Sequence, residues 1–243
     1  MEFEDDAFVL SVRSHGETGA IVEFVTERHG KYAAHVAGAI SRRARPHLQA
    51  GARVAVRYRA RTAEHLGSAA MEAAGEGPAA LFDDRLALAG LASAAAVTCG
   101  ALPEREPHPG AFAGLEALIA ALAAPEIWPA VYVRFEAGLL ADLGFGLDLS
   151  KCAVTGSADD LSHVSPRTGR AVSVGAAAGY EDRLFPLPPF LLSAQGGVGA
   201  GDVGAGLTIT GHFLERFVFS PLNRPLPPAR HWLHDRLAEA GRL

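Results

Sequence analysis

At 243 residues, 49% of them hydrophobic, the chain can bury a core in one large domain or two small ones and is not a disordered tail. Two cysteines, Cys99 and Cys152, are too few for a disulfide framework. The acidic start Met1–Asp6 does not read as a signal peptide, and the longest uncharged stretch, 86–103, is too short and too rich in Ala, Gly, Ser and Thr for a membrane span, so a cytoplasmic chain without a membrane partner is expected.

The net charge of −5 hides a segregation. Residues 28–61 hold nine Arg or Lys and no Asp or Glu, so the remainder carries −14. A basic block on an acidic chain points to a polyanionic partner for one region only.

Residues 1–75 read as β structure. Phe8, Leu10 and Val12 alternate with Val9, Ser11 and Arg13; Gly16–Gly19 makes a turn into a strand over 21–26, and His29-Gly30 leads to a third strand over 31–36. A basic connection over 41–49 precedes a fourth strand at 53–61 and a fifth at 66–72. Five short strands in so short a stretch predict a small barrel. Beyond Pro78 the pattern is helical: Phe112, Leu115, Leu118 and Leu122; then Val131, Phe135, Leu139 and Leu143, closed by Gly144; then Leu214, Phe217 and Val218; then Trp232, Leu233 and Leu237. Asp83-Asp84 is placed to serve a helix start. Residues 150–182 read as loop and 185–190 as a stiff, proline-rich connector. The expected class is α+β, with a barrel domain at 1–77 and a helical domain at 78–243.

The sharpest chemical feature is the strand at 53–61. Period two puts Val54, Val56, Tyr58 and Ala60 on one face and Arg53, Arg57, Arg59 and Arg61 on the other. Like charges on one face repel, whereas phosphates would neutralise them and release counterions. Lys31, Arg42, Arg43 and Arg45 extend the candidate DNA-binding set; an edge strand guarded by charge is the competing explanation. Tyr32 is the one candidate for base stacking, with Tyr58 assigned to the core. Gly199–Gly204 matches a dinucleotide fingerprint as a bare string, but no βαβ context surrounds it, and it reads as a flexible loop. No nucleophile elbow or phosphate loop occurs, and no enzyme is expected.

Taken together, several segments resemble the bacterial recombination and repair family RecO. They are Val9–Arg13, Gly16-Glu17, Thr26–Lys31 and Gly38–Arg43, then Val133–Glu136 with Leu143-Gly144, Asp148–Gly156, Val164–Pro166, Gly169–Ser173, Phe213–Glu215 and Leu226–Arg230. The resemblance spans nearly the whole chain in the right order. It implies an N-terminal OB-fold barrel, an all-helical C-terminal domain and a zinc-finger-like insertion at 148–182. It also implies binding of single- and double-stranded DNA and annealing of complementary strands. The implied partners are RecR and the acidic C-terminal tail of single-stranded-DNA-binding protein, with RecA loaded indirectly. Some relatives hold zinc with two Cys-x-x-Cys pairs; here the corresponding positions are Cys152, Thr155, Ser173 and Ala176, so a metal-free, degenerate loop is expected, with His163 an unlikely substitute ligand. Arg134, a lone arginine on an apolar helix, is the candidate for the acidic tail, against internal pairing with Glu136, Glu126 or another acid. The alternatives are an RNA-binding OB protein, a metal-dependent hydrolase using Cys152 and His163, and an adaptor in which the basic barrel plays no part. Whether residues 196–206 order on binding is left open.

Overall fold

A computed structural model of the chain describes residues 1–39, 41, 44, 46–62, 65–75, 81, 83–193 and 195–243. The backbone forms two compact units, 1–123 and 124–243.

The first unit is built on five strands: β1 (Glu2–His15), β2 (Gly19–Thr26), β3 (Gly30–Val36), β4 (Arg53–Arg59) and β5 (Gly67–Ala73). They close in the order β1-β2-β3-β5-β4, with β3 and β5 parallel and every other pair antiparallel. This is the OB-fold barrel. Its interior is filled by inward side chains from all five strands, among them Phe3, Val22, Phe24, Tyr32, Val54, Val56 and Tyr58. β1 starts at Glu2, well before its apolar run, and a bulge between Val9 and Ser11 breaks the alternation. Val9 faces the interior, while Phe8 lies on the outer surface against Phe112, with ring centroids 5.0 Å apart. That contact belongs to α2 (Pro109–Ala121), which follows α1 (Arg85–Ala101). Asp84 caps α1, accepting from the Leu86 and Ala87 amides at 2.9 Å. Both helices pack with the barrel in the first unit.

Gly30 shows how tightly the chain passes here. Its φ is +86°, and a Cβ would lie 2.0 Å from the Glu106 carbonyl oxygen, so only glycine fits the turn.

The second unit centres on α3 (Trp128–Asp142) and α6 (Asp202–Phe213). Gly206 brings them close: a Cβ there would meet Val133 Cγ1 at 2.7 Å. The segment 199–204, read as a flexible loop from sequence, leads directly into this helix, with Gly201 at its cap and Asp202 accepting the Gly199 amide at 2.7 Å. A π-helical segment, Leu214–Phe219, continues α6, and α7 (Pro228–Glu239) follows. The loop expected over 150–182 and the stiff connector carry more order than their composition conveys. A three-stranded sheet, β7-β6-β8, forms from β6 (Leu161–Val164), β7 (Ala171–Ser173) and β8 (Phe185–Pro186). Two single-turn helices, α4 (Val174–Ala177) and α5 (Pro189–Leu192), complete the unit.

Candidate nucleic-acid interface

β4 alternates as its sequence predicts: Val54, Val56 and Tyr58 are buried, while Arg57 and Arg59 are exposed and Arg53 is half-buried on the opposite face. Arg61 follows on the exposed connection. The antiparallel register sets Glu2 opposite Arg59, Glu4 opposite Arg57 and Phe8 opposite Arg53. Arg59 Nε donates to Glu2 Oε1 at 2.7 Å, and Arg57 Nε to Glu4 Oε1 at 2.5 Å. Arg53 donates to Asp6 Oδ2 at 2.9 Å and also to Glu116 of α2. The hydrogen bond to Asp6 above all raises the Arg53 pKa, and that to Glu4 raises the Arg57 pKa, so both stay fully charged. The repulsion expected along the stripe is therefore answered inside the fold by the acidic N-terminus, and its existence needs no phosphate to explain it. Beside the stripe, an open cleft of about 480 Å³ is lined by five carboxylates (Glu4, Asp5, Asp6, Glu27, Glu72) against two guanidiniums, Arg28 and Arg57.

Two other candidates on the barrel sit differently from expectation. Lys31 is buried, and its ammonium donates to the Cys99 carbonyl at 2.6 Å, at the C-terminal end of α1 where a cation complements the helix dipole. It is not part of an outer surface. Tyr32 is a core residue: it is 3% exposed and packs against Phe3, Phe24 and Tyr58, with its pKa raised by burial. The large exposed aromatics among the described residues, Phe145, Tyr180 and Trp232, all lie in the second unit, so the described part of the barrel has no stacking platform. Arg42, Arg43 and Arg45 lie outside the described residues.

In the second unit, Arg134 Nε and Nη2 donate to the Phe190 carbonyl at 2.8 and 2.5 Å, and Nη2 also to the Ser193 carbonyl. The guanidinium thus holds the end of α5 and pairs with none of the acids considered from sequence. Glu136 is engaged elsewhere. Arg230 donates to it through Nε at 2.6 Å and Nη2 at 3.0 Å, and Tyr132 Oη and Thr210 Oγ1 complete its shell at 3.0 and 2.5 Å. Arg230 Nη2 also reaches the Leu207 carbonyl at 2.9 Å. Burial pulls the Arg230 pKa down, but the Glu136 charge outweighs it and the pKa stays raised. This network joins α3, α6 and α7. Sequence reading missed it, although its two charged members fall in two of the segments that carried the family resemblance.

Around Cys152 the chain folds as a knuckle. The sulfur accepts from the amides of Val154, Thr155 and Ser173 at 3.4, 3.5 and 3.3 Å, and from Ser173 Oγ at 3.4 Å. Hydrogen bonds from the Ser173 hydroxyl first, and from Thr155 next, lower the thiol pKa to about 6. Ala176 packs against the same small cluster. The four positions that would form a tetrahedral zinc site are therefore gathered around one sulfur, but they supply one thiol, two hydroxyls and a methyl. That donor set does not fit zinc. Among the described residues no group of three or more His, Cys, Asp or Glu could hold a metal.

Comparison with known sequences decides the family. The family profile "Recombination protein O N terminal" matches residues 1–72, and "Recombination protein O C terminal" matches 83–225. The chain belongs to the RecO family. It is 74% identical to the DNA repair protein RecO of Phenylobacterium zucineum (strain HLK1) and 72% identical to that of Caulobacter sp. (strain K31), over the full length of both chains in each case. The DNA repair protein RecO of Rhodospirillum centenum is 50% identical over 242 residues, covering 99% of this chain and 96% of the relative. RecO membership makes DNA repair the setting in which these surfaces act. The C-terminal profile begins at residue 83, so α1 and α2 belong to it while packing with the barrel in the first unit. Among the described residues no helix is long and apolar enough to cross a membrane.

Proposed function

We propose that the protein is a non-enzymatic, cytoplasmic recombination mediator. Its barrel holds the backbone of single- and double-stranded DNA, it anneals complementary strands, and its helices engage protein partners. The observation that carries this reading is a closed OB barrel, in a chain of a DNA repair family, whose basic residues are concentrated between 28 and 61 in an otherwise acidic sequence. A basic barrel without exposed aromatics screens two phosphate backbones from each other without reading sequence, which is what annealing requires. The residues offered to phosphate are Arg53, Arg57, Arg59 and Arg61, with Arg42, Arg43 and Arg45 of the preceding connection.

The partners in this reading are RecR, the acidic C-terminal tail of single-stranded-DNA-binding protein and, through them, RecA. Arg134 is the candidate for a tail carboxylate; because it already holds the Phe190 and Ser193 carbonyls, that contact has to share the guanidinium with α5. The insertion at 148–182 works without metal, held by the hydrogen bonds that converge on Cys152.

The test is a fluorescence-anisotropy titration of labelled single-stranded DNA across a salt series, with unlabelled duplex and RNA as competitors. Binding whose log affinity falls with log salt at a slope of about −2 or steeper is expected, since each phosphate neutralised on a single strand contributes about −0.7. A strong preference for RNA overturns the repair reading. Elemental analysis of the same preparation is expected to find no stoichiometric zinc.

A further inference from the structure

The outer surface of the barrel is electrically polarised along β4. Toward the β2–β3 turn, the cleft beside Arg57 is dominated by carboxylates. Toward the passage from β4 to β5, the composition reverses. The strand register lines up Arg13 with Ile21, Ile21 with His35, His35 with Ser68 and Ser68 with Arg59, one outward rung across five strands. An open cleft of about 320 Å³ at this end is lined by His35, Arg59, Arg61, His65, Leu66 and Ser68, with no described carboxylate in its lining. His15 meets His35 edge-on, with ring centroids 5.8 Å apart. His65 Nδ1 bonds Thr62 Oγ1 at 2.7 Å, which leaves Nε2 as the other polar edge of the ring. Arg59 is tied to Glu2 through Nε, so the two terminal nitrogens of its planar fork remain as further donors.

We infer that this cleft, rather than the arginine stripe as a whole, is where the barrel takes a phosphodiester of single-stranded nucleic acid. The inference rests on the nucleic-acid reading above and narrows it to a site. A phosphate approaching Arg53 or Arg57 meets guanidiniums already held by Asp6, Glu116 and Glu4, beside further carboxylates. A phosphate approaching Arg59 and Arg61 meets two guanidiniums and two imidazoles, the planar and ring donors that suit its oxygens. Leu66, 51% exposed at the rim, gives the adjoining sugar or base an apolar contact. A single strand presents a phosphate and a base together in this way, whereas a duplex keeps its bases stacked inside.

The experiment compares three proteins in the single-stranded DNA titration: wild type, Arg61→Ser/His65→Ser on the connecting loop, and Arg53→Gln/Arg57→Gln on the stripe. Thermal melting of each confirms that the barrel is intact, and His35→Gln serves as an independent probe of the cleft from a different strand. The expected result is that the loop variant loses about tenfold in affinity and its salt slope falls by about 1.4, the equivalent of two phosphate contacts, while the stripe variant stays within about twofold of wild type. Wild-type binding that survives the loop and His35 variants, or that is lost in the stripe variant alone, overturns the cleft while leaving the nucleic-acid reading in place. No wild-type binding at low salt overturns both.

Discussion

The two units use the same chemistry, an arginine held by a glutamate, in opposite ways. On the barrel, Arg57 and Glu4 are both more than half exposed, and their pairing is a cross-strand contact in water. In the helical unit, Arg230 and Glu136 are 4% and 0% exposed, and every atom of the carboxylate is engaged by a neighbour from α3, α6 or α7. An exposed pair adds little stability and exchanges partners readily, so a phosphate can compete for it. A buried pair cannot exchange without leaving a bare charge in an apolar surround. The barrel is thus fitted to meet an anion, and the network across the three helices to fix their arrangement.

The largest effect expected from breaking this contrast is at Arg230. Arg230→Ala leaves Glu136 buried and uncompensated, and destabilises the protein by about 3–5 kcal/mol in chemical denaturation. Replacing both partners, with Arg230→Met and Glu136→Leu, is expected to recover most of that loss. A double variant as unstable as the single one would show that the pair's worth lies in its many hydrogen bonds rather than in avoiding a stranded charge.

How much of this was legible follows the same division. Alternation in Val54, Val56 and Tyr58 is local, and it placed the arginines of β4 outward correctly. The acids that answer them are 50 or more residues away in sequence, and only the β1–β4 register brings Glu2 to Arg59 and Glu4 to Arg57. Read one strand at a time, Met1–Asp6 was merely acidic. Lys31 and Tyr32 were misplaced because strand period assigns a residue to one of two faces but does not say what covers that face. Lys31 does point outward, but the end of α1 covers it. Arg230 and Glu136 lie 94 residues apart, and neither segment signals the other by pattern. The Cys152 knuckle was legible as positions, from the family resemblance. Its hydrogen bonds were not, because amides aimed at a sulfur depend on backbone turns that composition does not encode.

Asp5 stands between the two extremes and sharpens the comparison. Its carboxylate is 1% exposed, but its partners are at the surface: Arg28 through the backbone amide at 2.9 Å and Nε at 3.0 Å, and His29 Nδ1 at 2.7 Å. Burial pushes its pKa up; the His29 ring, then the Arg28 amide and guanidinium, outweigh it, and the net pKa lies below the usual carboxylate range. A depressed carboxylate contributes stability that is full above its unfolded pKa, about 3.9, and is lost as pH falls through the lower folded value. Asp5→Asn is therefore expected to destabilise the barrel by about 1–3 kcal/mol at neutral pH. In denaturant titrations at stepped pH, the gap between variant and wild type should close below about pH 4. A gap that stays constant into acid would mean that Asp5 acts through shape rather than charge.

The smallest effect is expected at the exposed ladder itself. Arg57→Gln removes one side of a pair whose members are 58% and 67% exposed, on a strand whose inward residues Val56 and Tyr58 are untouched. Water replaces the lost partner at once, so the melting midpoint should stay within about 2 °C of wild type. The relevant control is salt. If the ladder were a stabilising network, wild type would lose midpoint as ionic strength rises from 0.01 to 1 M, over which the screening length shortens from about 30 to 3 Å, and Arg57→Gln would lose less. Parallel salt curves for the two proteins are the expected outcome, because Glu4 and Arg57 neutralise each other without holding the strands together. The strands are held by the buried faces of β1 and β4, and that leaves the outer charges of the barrel available to set where an anion can approach.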